Sequence, residues 1–75
     1  MEKIHIGDKV AYKNPNSVLG KLMPSGTAEN VIPNGMPIGN GEINVSGQDI
    51  IVCKPDECKT MLIFRRDELV KIKNS

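Results

Sequence analysis

The chain is poor in aromatic residues, with one Tyr, one Phe and no Trp among 75 residues. Platforms that stack nucleic-acid bases and grooves that bind proline-rich peptides each need several aromatic rings. The composition therefore argues against both kinds of site.

The chain also lacks an excess of charge of either sign. Ten basic and nine acidic side chains give a formal net charge of +1. This balance excludes a strongly basic nucleic-acid binder and an acidic DNA mimic, whereas weak or local nucleic-acid binding stays open.

Long hydrophobic runs are missing as well. No stretch has the length of a signal peptide or of the roughly 18 to 20 apolar residues of a membrane span, which predicts a cytoplasmic protein that does not enter a membrane. The two cysteines are then expected to stay reduced, so a disulfide is not needed to explain stability.

Residues typical of catalysis are few. The single histidine, His5, lies between Ile4 and Ile6 and is expected on the solvated face of a strand. No Ser or Cys stands in a recognisable nucleophile motif, and the acidic pairs at 56–57 and 67–68 fall in predicted turns. The sequence therefore predicts a protein that is not an enzyme and has no cofactor or metal.

What is present is a pattern of short strands. Alternation places Ile43 and Val45 on one face of a predicted strand over residues 42–46. Turn residues separate it from two further segments rich in β-branched and apolar residues. The three predicted antiparallel strands cover residues 42–46, 49–54 and 59–65.

The two ends of the chain add one strand each. Ile4 and Ile6 alternate, a Gly-Asp turn follows, and Val10 and Tyr12 resume the alternation, which predicts a first strand. Near the other end, one helical turn is expected at residues 66–69 before a short last strand over residues 69–73.

Residues 14–37 have no helical or strand period and hold four of the five prolines. A loop of this length in a compact domain is usually functional or disordered. Its scattered apolar side chains must pack on the body of the protein, form a small hairpin near Ser25, or dock on a partner. The predicted partner-binding residues are Val18, Leu19, Leu22, Met23, Val31 and Ile32.

Four segments resemble the SH3-like small barrel in its bacterial form, akin to KOW and Tudor modules. They are IGDKVAY at 6–12, GNGEINV at 39–45, DIIVCK at 49–54 and RRDELVKI at 65–72. The resemblance implies a single all-β domain over residues 1–75, a five-stranded barrel with its long loop between the first and second strands. It also implies a binding module of bacterial or phage type. The family's aromatic cage does not carry over, because only Tyr12 and Phe64 are available.

Two predicted strands are apolar on both faces, over residues 50–53 and 61–64. A strand with one face in water should alternate, so the long loop or another protein must cover the second face. A two-fold symmetric dimer would do so by burying one patch against its own copy. The predicted self-association face consists of Ile50, Val52, Met61 and Ile63.

Two further groups of residues leave alternatives open. Cys53 and Cys58 flank a predicted turn and are expected to lie nearly opposite each other, as unreactive thiols, a reversible disulfide or half of a zinc site. The second pair of zinc ligands is missing, and only His5 could add a ligand to such a site. Basic residues near the end of the chain form either a solvated edge or a modest phosphate-binding strip. The predicted strip consists of Lys54, Lys59, Arg65 and Arg66.

The leading hypothesis is therefore a small regulatory protein that binds a protein partner through the 14–37 loop and an apolar sheet face. A nucleic-acid-binding module that uses the basic strip is the alternative. A metal or redox site at the two cysteines is a third, from a different class.

Overall fold

A computed structural model describes residues 2–72 and consists mainly of short strands. One five-residue α-helix and one 3-10 turn interrupt them. The elements in chain order are β1 (Lys9–Tyr12), α1 (Val18–Leu22), β2 (Gly26–Ile32), β3 (Pro37–Gly39), β4 (Glu42–Ile43), β5 (Ile50–Pro55), β6 (Leu62–Arg65), the 3-10 turn (Arg66–Glu68) and β7 (Leu69–Lys71).

Five strands form one antiparallel sheet in the order β6-β5-β2-β1-β7, and β3 and β4 form a separate hairpin. The all-β class and the five-stranded sheet are confirmed. Within residues 2–72 no pairing joins the edge strands β6 and β7, so the sheet is open and the predicted closed barrel is not seen. The pairing of β5 with β6, the helical turn and the last strand also agree with the sequence prediction, although residue 73 lies outside the described residues.

The core lies on one face of this sheet. Ile51, Cys53 and Phe64 point inward from β5 and β6, and Val10 and Leu69 do so from β1 and β7. Tyr12 packs its ring against Phe64, with the ring centroids 5.5 Å apart. The remaining buried members of the cluster are Ile4, Met23 and Ala28.

The prediction that residues 14–37 form a loop is wrong. This segment contains α1 and also β2, the central strand of the sheet, which pairs with β1 on one side and β5 on the other. The polar residues Glu29 and Asn30 and a shift of register between Ala28 and Asn30 break the alternation that would have marked a strand. The hydrogen bonds of the sheet override this weak local signal.

The predicted strand over residues 42–46 is also wrong in its extent and its facing. Only Glu42–Ile43 is a strand, and it pairs with β3 outside the main sheet. Ile43 and Val45 are exposed, with Val45 87% exposed, whereas Asn44 between them is completely buried. Because the buried Asn44 amide makes several hydrogen bonds, the polar residue faces inward and its two apolar neighbours face solvent, the opposite of what hydrophobicity alone indicated.

The start of the first predicted strand differs too. The strand begins at Lys9, after a turn in which Gly7 has a φ of 94°. Ile4 is buried in the core, but Ile6 is exposed, so the two do not share a face.

Candidate functional site

A concave surface lies at one end of the sheet, between α1 and the turn that joins β5 to β6. It is a cleft of about 440 Å³. One wall comes from the end of α1 and the residues after it, and the other comes from the β5–β6 turn. The lining residues are Lys21, Leu22, Pro24, Ser25, Pro55, Asp56, Glu57 and Cys58.

Helix α1 is placed by a cap at its start and a buried side chain at its end. The Ser17 hydroxyl accepts a hydrogen bond from the backbone N–H of Gly20 at 3.0 Å, which satisfies one of the free amides of the first turn. Gly20 is buried against the backbone of Asn14 and Pro15, where a Cβ atom would collide. Met23 ends the helix and is completely buried. The helix therefore has a fixed position beside the cleft.

A carboxylate ties the two walls of the cleft together. Asp56 accepts hydrogen bonds from the Ser25 hydroxyl at 2.5 Å and from the Lys9 Nζ at 2.8 Å. Its backbone N–H also donates to the Ser25 carbonyl at 3.1 Å. The hydrogen bond from Lys9, followed by that from Ser25, holds the pKa of Asp56 below its usual range. Asp56 therefore stays ionised and joins β1, the α1–β2 connection and the β5–β6 turn.

The two cysteines do not face each other as expected. Cys53 lies opposite Leu62 in the sheet and is completely buried, and burial raises the pKa of its thiol to about 11. Cys58 is exposed in the turn and lines the cleft. Both thiols are free. Among residues 2–72 no three His, Cys, Asp or Glu side chains are grouped in a way that could hold a metal ion.

The predicted partner-binding residues separate into two groups. Val18, Leu19 and Leu22 are exposed on α1, and Val18 and Leu22 lie one helical turn apart on the same face. The other three serve the fold instead, since Met23 is in the core, Val31 packs against it and Ile32 is buried.

The predicted self-association face is largely on one side of the sheet. The register pairs Val52 with Ile63, and both side chains point away from the core, as does that of Ile50. Ile50 and Val52 are half-buried, whereas Met61 and Ile63 are exposed. Residues 14–37 therefore do not cover this face at Met61 and Ile63.

The predicted basic strip is divided between the two ends of the β5–β6 hairpin. Lys54 and Lys59 are exposed near the turn, whereas Arg65 and Arg66 follow at the far end of β6. The Arg65 Nε lies 3.6 Å from an Asp67 carboxylate oxygen and 3.8 Å from one of Glu68.

Arg66 is engaged in the same region. It donates to the backbone carbonyls of Glu2 at 2.6 Å and Leu69 at 2.9 Å. The four residues therefore do not form one continuous surface.

Comparison of the chain with protein-family models, with curated proteins and with solved structures found no match. None of the helices within residues 2–72 is long and apolar enough to cross a lipid bilayer.

Sequence reasoning missed most of the cleft. Ser25, Pro55 and Asp56 were visible only as turn residues, and each was sufficiently explained by the turn in which it lies. In the fold, Ser25 precedes β2 and Asp56 follows β5, and the antiparallel pairing of these two strands brings both turns to the same edge of the sheet. Without knowing that β2 pairs with β5, that proximity could not be deduced.

Proposed function

We propose that this chain is a non-enzymatic binding protein that docks a segment of a protein partner on α1 and in the cleft beside it. The observation that carries the proposal is the exposure of two aliphatic side chains on a fixed helix, Val18 at 77% and Leu22 at 55%. Leu22 also lines the cleft. Exposed aliphatic groups beside a concave surface favour recognition of an apolar side chain of a partner.

The chemistry of the cleft supports binding rather than catalysis. Its most strongly hydrogen-bonded carboxylate, Asp56, is engaged with Lys9 and Ser25, so it holds the walls in position. Leu22, Pro24 and Pro55 supply apolar lining, and Lys21 and Glu57 lie beside them. An apolar side chain with a polar neighbour is the ligand that this lining fits best.

We also propose that the sheet is an open form of the SH3-like barrel that the sequence resembles. Support comes from the five antiparallel strands of the main sheet and from the 3-10 turn, Arg66–Glu68, that leads into β7. Proteins with this architecture generally bind partners through loops and a sheet edge, as the resemblance implies.

A random peptide library displayed on phage and selected on the immobilised chain tests the docking proposal. We expect peptides that share an apolar anchor residue, with binding at least about tenfold weaker to the double variant Val18→Ser, Leu22→Ser, as for the loss of a hot spot. Val45→Ser is the control, because Val45 is even more exposed, at 87%, but lies in a different segment, and peptide binding to this variant should be unchanged.

Alkylation of Cys58 with a bulky maleimide supplies a second disruption of the same cleft without mutation. Failure to select any peptide, or equal binding to the wild type and the double variant with both folded by circular dichroism, would overturn the proposal.

A further inference from the structure

The two edges of the five-stranded sheet differ in how they are covered. At the β7 edge, the Lys71 Nζ contacts the Glu2 carboxylate and the Lys3 carbonyl, each at 3.4 Å. The Arg66 guanidinium also donates to the Glu2 carbonyl. In the part of the chain that the structure describes, no strand lies beyond β6 at the other edge.

The backbone of β6 presents hydrogen-bonding groups to this open edge. The Arg66 N–H donates to the Asp49 carbonyl at 2.9 Å, toward the interior of the sheet. Because backbone groups alternate in direction along a strand, those of Phe64 also face β5, and those of Ile63 and Arg65 face outward. The Glu68 carboxylate accepts a hydrogen bond from the Arg65 N–H at 2.8 Å, which confirms that this N–H points away from β5.

The side chains along this edge are apolar. Ile63 is 59% exposed and lies opposite Val52 on the face away from the core, and Met61 is 47% exposed. Edge strands usually carry a proline, a bulge or a central charge that prevents pairing with another chain. Residues 60–64, TMLIF, have none of these, and the nearest charges are Lys59 and Arg65 at the two ends.

We propose that a second copy of this chain adds its own β6 to this edge, antiparallel, with the two-fold axis at Ile63. Each Ile63 would exchange N–H and C=O hydrogen bonds with its copy, and Met61 would lie opposite the partner's Arg65. The two Arg65 side chains would then lie roughly 13 Å apart along the strands, four residues at the ordinary strand rise. This arrangement places apolar groups at the centre and avoids opposing like charges.

A second copy fits this edge better than an unrelated strand because the edge is complementary to itself. Its apolar centre meets the same apolar centre, and each terminal Arg65 meets the thioether of Met61 rather than another cation. A strand of four residues is small compared with the roughly 800 Å² per partner that stable complexes bury. We therefore expect a weak dimer, with a Kd on the order of 10 to 100 µM. The proposal uses different residues from the cleft and does not depend on it.

Sedimentation velocity over about 1 to 500 µM chain, a range that brackets this Kd, tests the dimer. We expect the mass to rise from 8.2 kDa toward twice that value. The variant Ile63→Lys should stay monomeric at every concentration and keep its fold, because the side chain is exposed. Ile43→Lys is the matched control, since Ile43 is 53% exposed in the separate hairpin, and it should dimerise like the wild type.

Disulfide trapping tests the register. In a Cys58→Ser background, Ile63→Cys should form a linked dimer on mild oxidation, because directly opposed residues of this pair lie about 5.5 Å apart at Cα. Met61→Cys should cross-link much less, since its opposite residue is Arg65. A monomeric mass throughout, dimerisation of Ile63→Lys like the wild type, or faster trapping by Met61→Cys would each overturn the proposal.

Discussion

Asn44 shows how one polar side chain can organise a segment without regular structure. Its amide nitrogen donates to the carbonyls of Ile32 and Gln48, each at 2.8 Å. Its amide oxygen accepts from the backbone N–H of Ser46 at 3.0 Å and from the Ser46 hydroxyl at 2.7 Å. Asn44 therefore links the end of β2 to the chain that enters β5.

Replacing Asn44 with alanine should destabilise the fold by about 2 kcal/mol or more, because the Ile32 carbonyl and other groups lose their partner in a buried place. Urea unfolding followed by circular dichroism measures this change. Asn34→Ala is the control, because Asn34 is exposed and its side chain accepts one hydrogen bond, from the Gly47 N–H. This substitution should lower the free energy of unfolding by well under half as much as Asn44→Ala. Equal losses for the two variants would contradict the role assigned to Asn44.

The two cysteines should react very differently in the native protein. Burial raises the pKa of Cys53 to about 11, so near pH 8 its thiol is both protonated and inaccessible, whereas Cys58 is exposed. Mass spectrometry after treatment with iodoacetamide should show one added group, and a second only in denaturant. A Cys58→Ser variant should remain unlabelled while folded, and labelling of both thiols at similar rates would contradict the buried position of Cys53.

At the scale of single residues, the sequence correctly predicted which side chains of β5 and β6 face the core and which face away from it. Ile51 and Cys53 point inward, and Val52 and Ile63 outward, as alternation within β5 and β6 requires. The sequence did not predict the burial of Asn44, because a hydrophobic pattern does not show that an amide makes four hydrogen bonds with segments brought together only by the fold.

At the scale of elements, the shape of the cleft depends on contacts between segments that are distant in the chain. Lys9 in β1 and Ser25 before β2 both bind Asp56 in the β5–β6 turn. This carboxylate therefore couples the position of the turn to that of the chain that leaves α1.

The stabilising effect of Asp56 should disappear in acid. Because its pKa is depressed in the folded state, the contribution is present above the unfolded pKa, near 4, and is lost as pH falls through the lower folded value. The difference in Tm between the wild type and Asp56→Asn should therefore be largest near neutral pH and should vanish in acid, once the pH lies below the folded pKa of Asp56.

Glu57→Gln is the control for that measurement. Glu57 is an exposed neighbour that forms no ion pair among residues 2–72, so its replacement should change Tm little at any pH. A Tm difference for Asp56→Asn that does not depend on pH would contradict the assigned ion pair.

The elements that the sequence predicted best were the two with continuous apolar and β-branched runs, β5 and β6, and the 3-10 turn, with its acidic residues Asp67 and Glu68. It missed β2 because GTAENVI carries polar residues in its middle and a shift of register. A strand in the centre of a sheet can tolerate such a sequence, because its neighbours on both sides supply hydrogen bonds that local propensity does not reveal.

At the scale of the whole molecule, the two long connections of the main sheet, from β1 to β2 and from β2 to β5, contribute differently to the fold. The connection before β2 contains a helix whose last residues enter the core and line the cleft. The connection between β2 and β5 carries the β3–β4 hairpin, which pairs with no strand of the main sheet.

The β3–β4 hairpin should therefore be dispensable for the fold. Met36 and Asn44 are already joined, since the Asn44 N–H donates to the Met36 carbonyl at 2.9 Å. Replacing residues 37–43 with an Asn-Gly turn should keep the sheet and shift Tm by only a few degrees, about 1 kcal/mol for a small domain.

Deleting residues 15–34 gives the contrasting variant for circular dichroism. That deletion removes β2, so it should leave an unfolded chain. A folded product would contradict the central position of β2.

The pairing of β1 with β7 has a consequence for biosynthesis. Val10, Ala11 and Tyr12 find their partners in Lys71, Val70 and Leu69, almost the whole length of the chain away. As the chain leaves the ribosome, β1 emerges early, but one edge of that strand has no partner until residues 69–71 have also emerged. The β1–β7 pairing thus cannot form until the other strands of the sheet have been synthesised, and a product truncated before Leu69 would keep β1 as an exposed edge strand, open to aggregation and proteolysis.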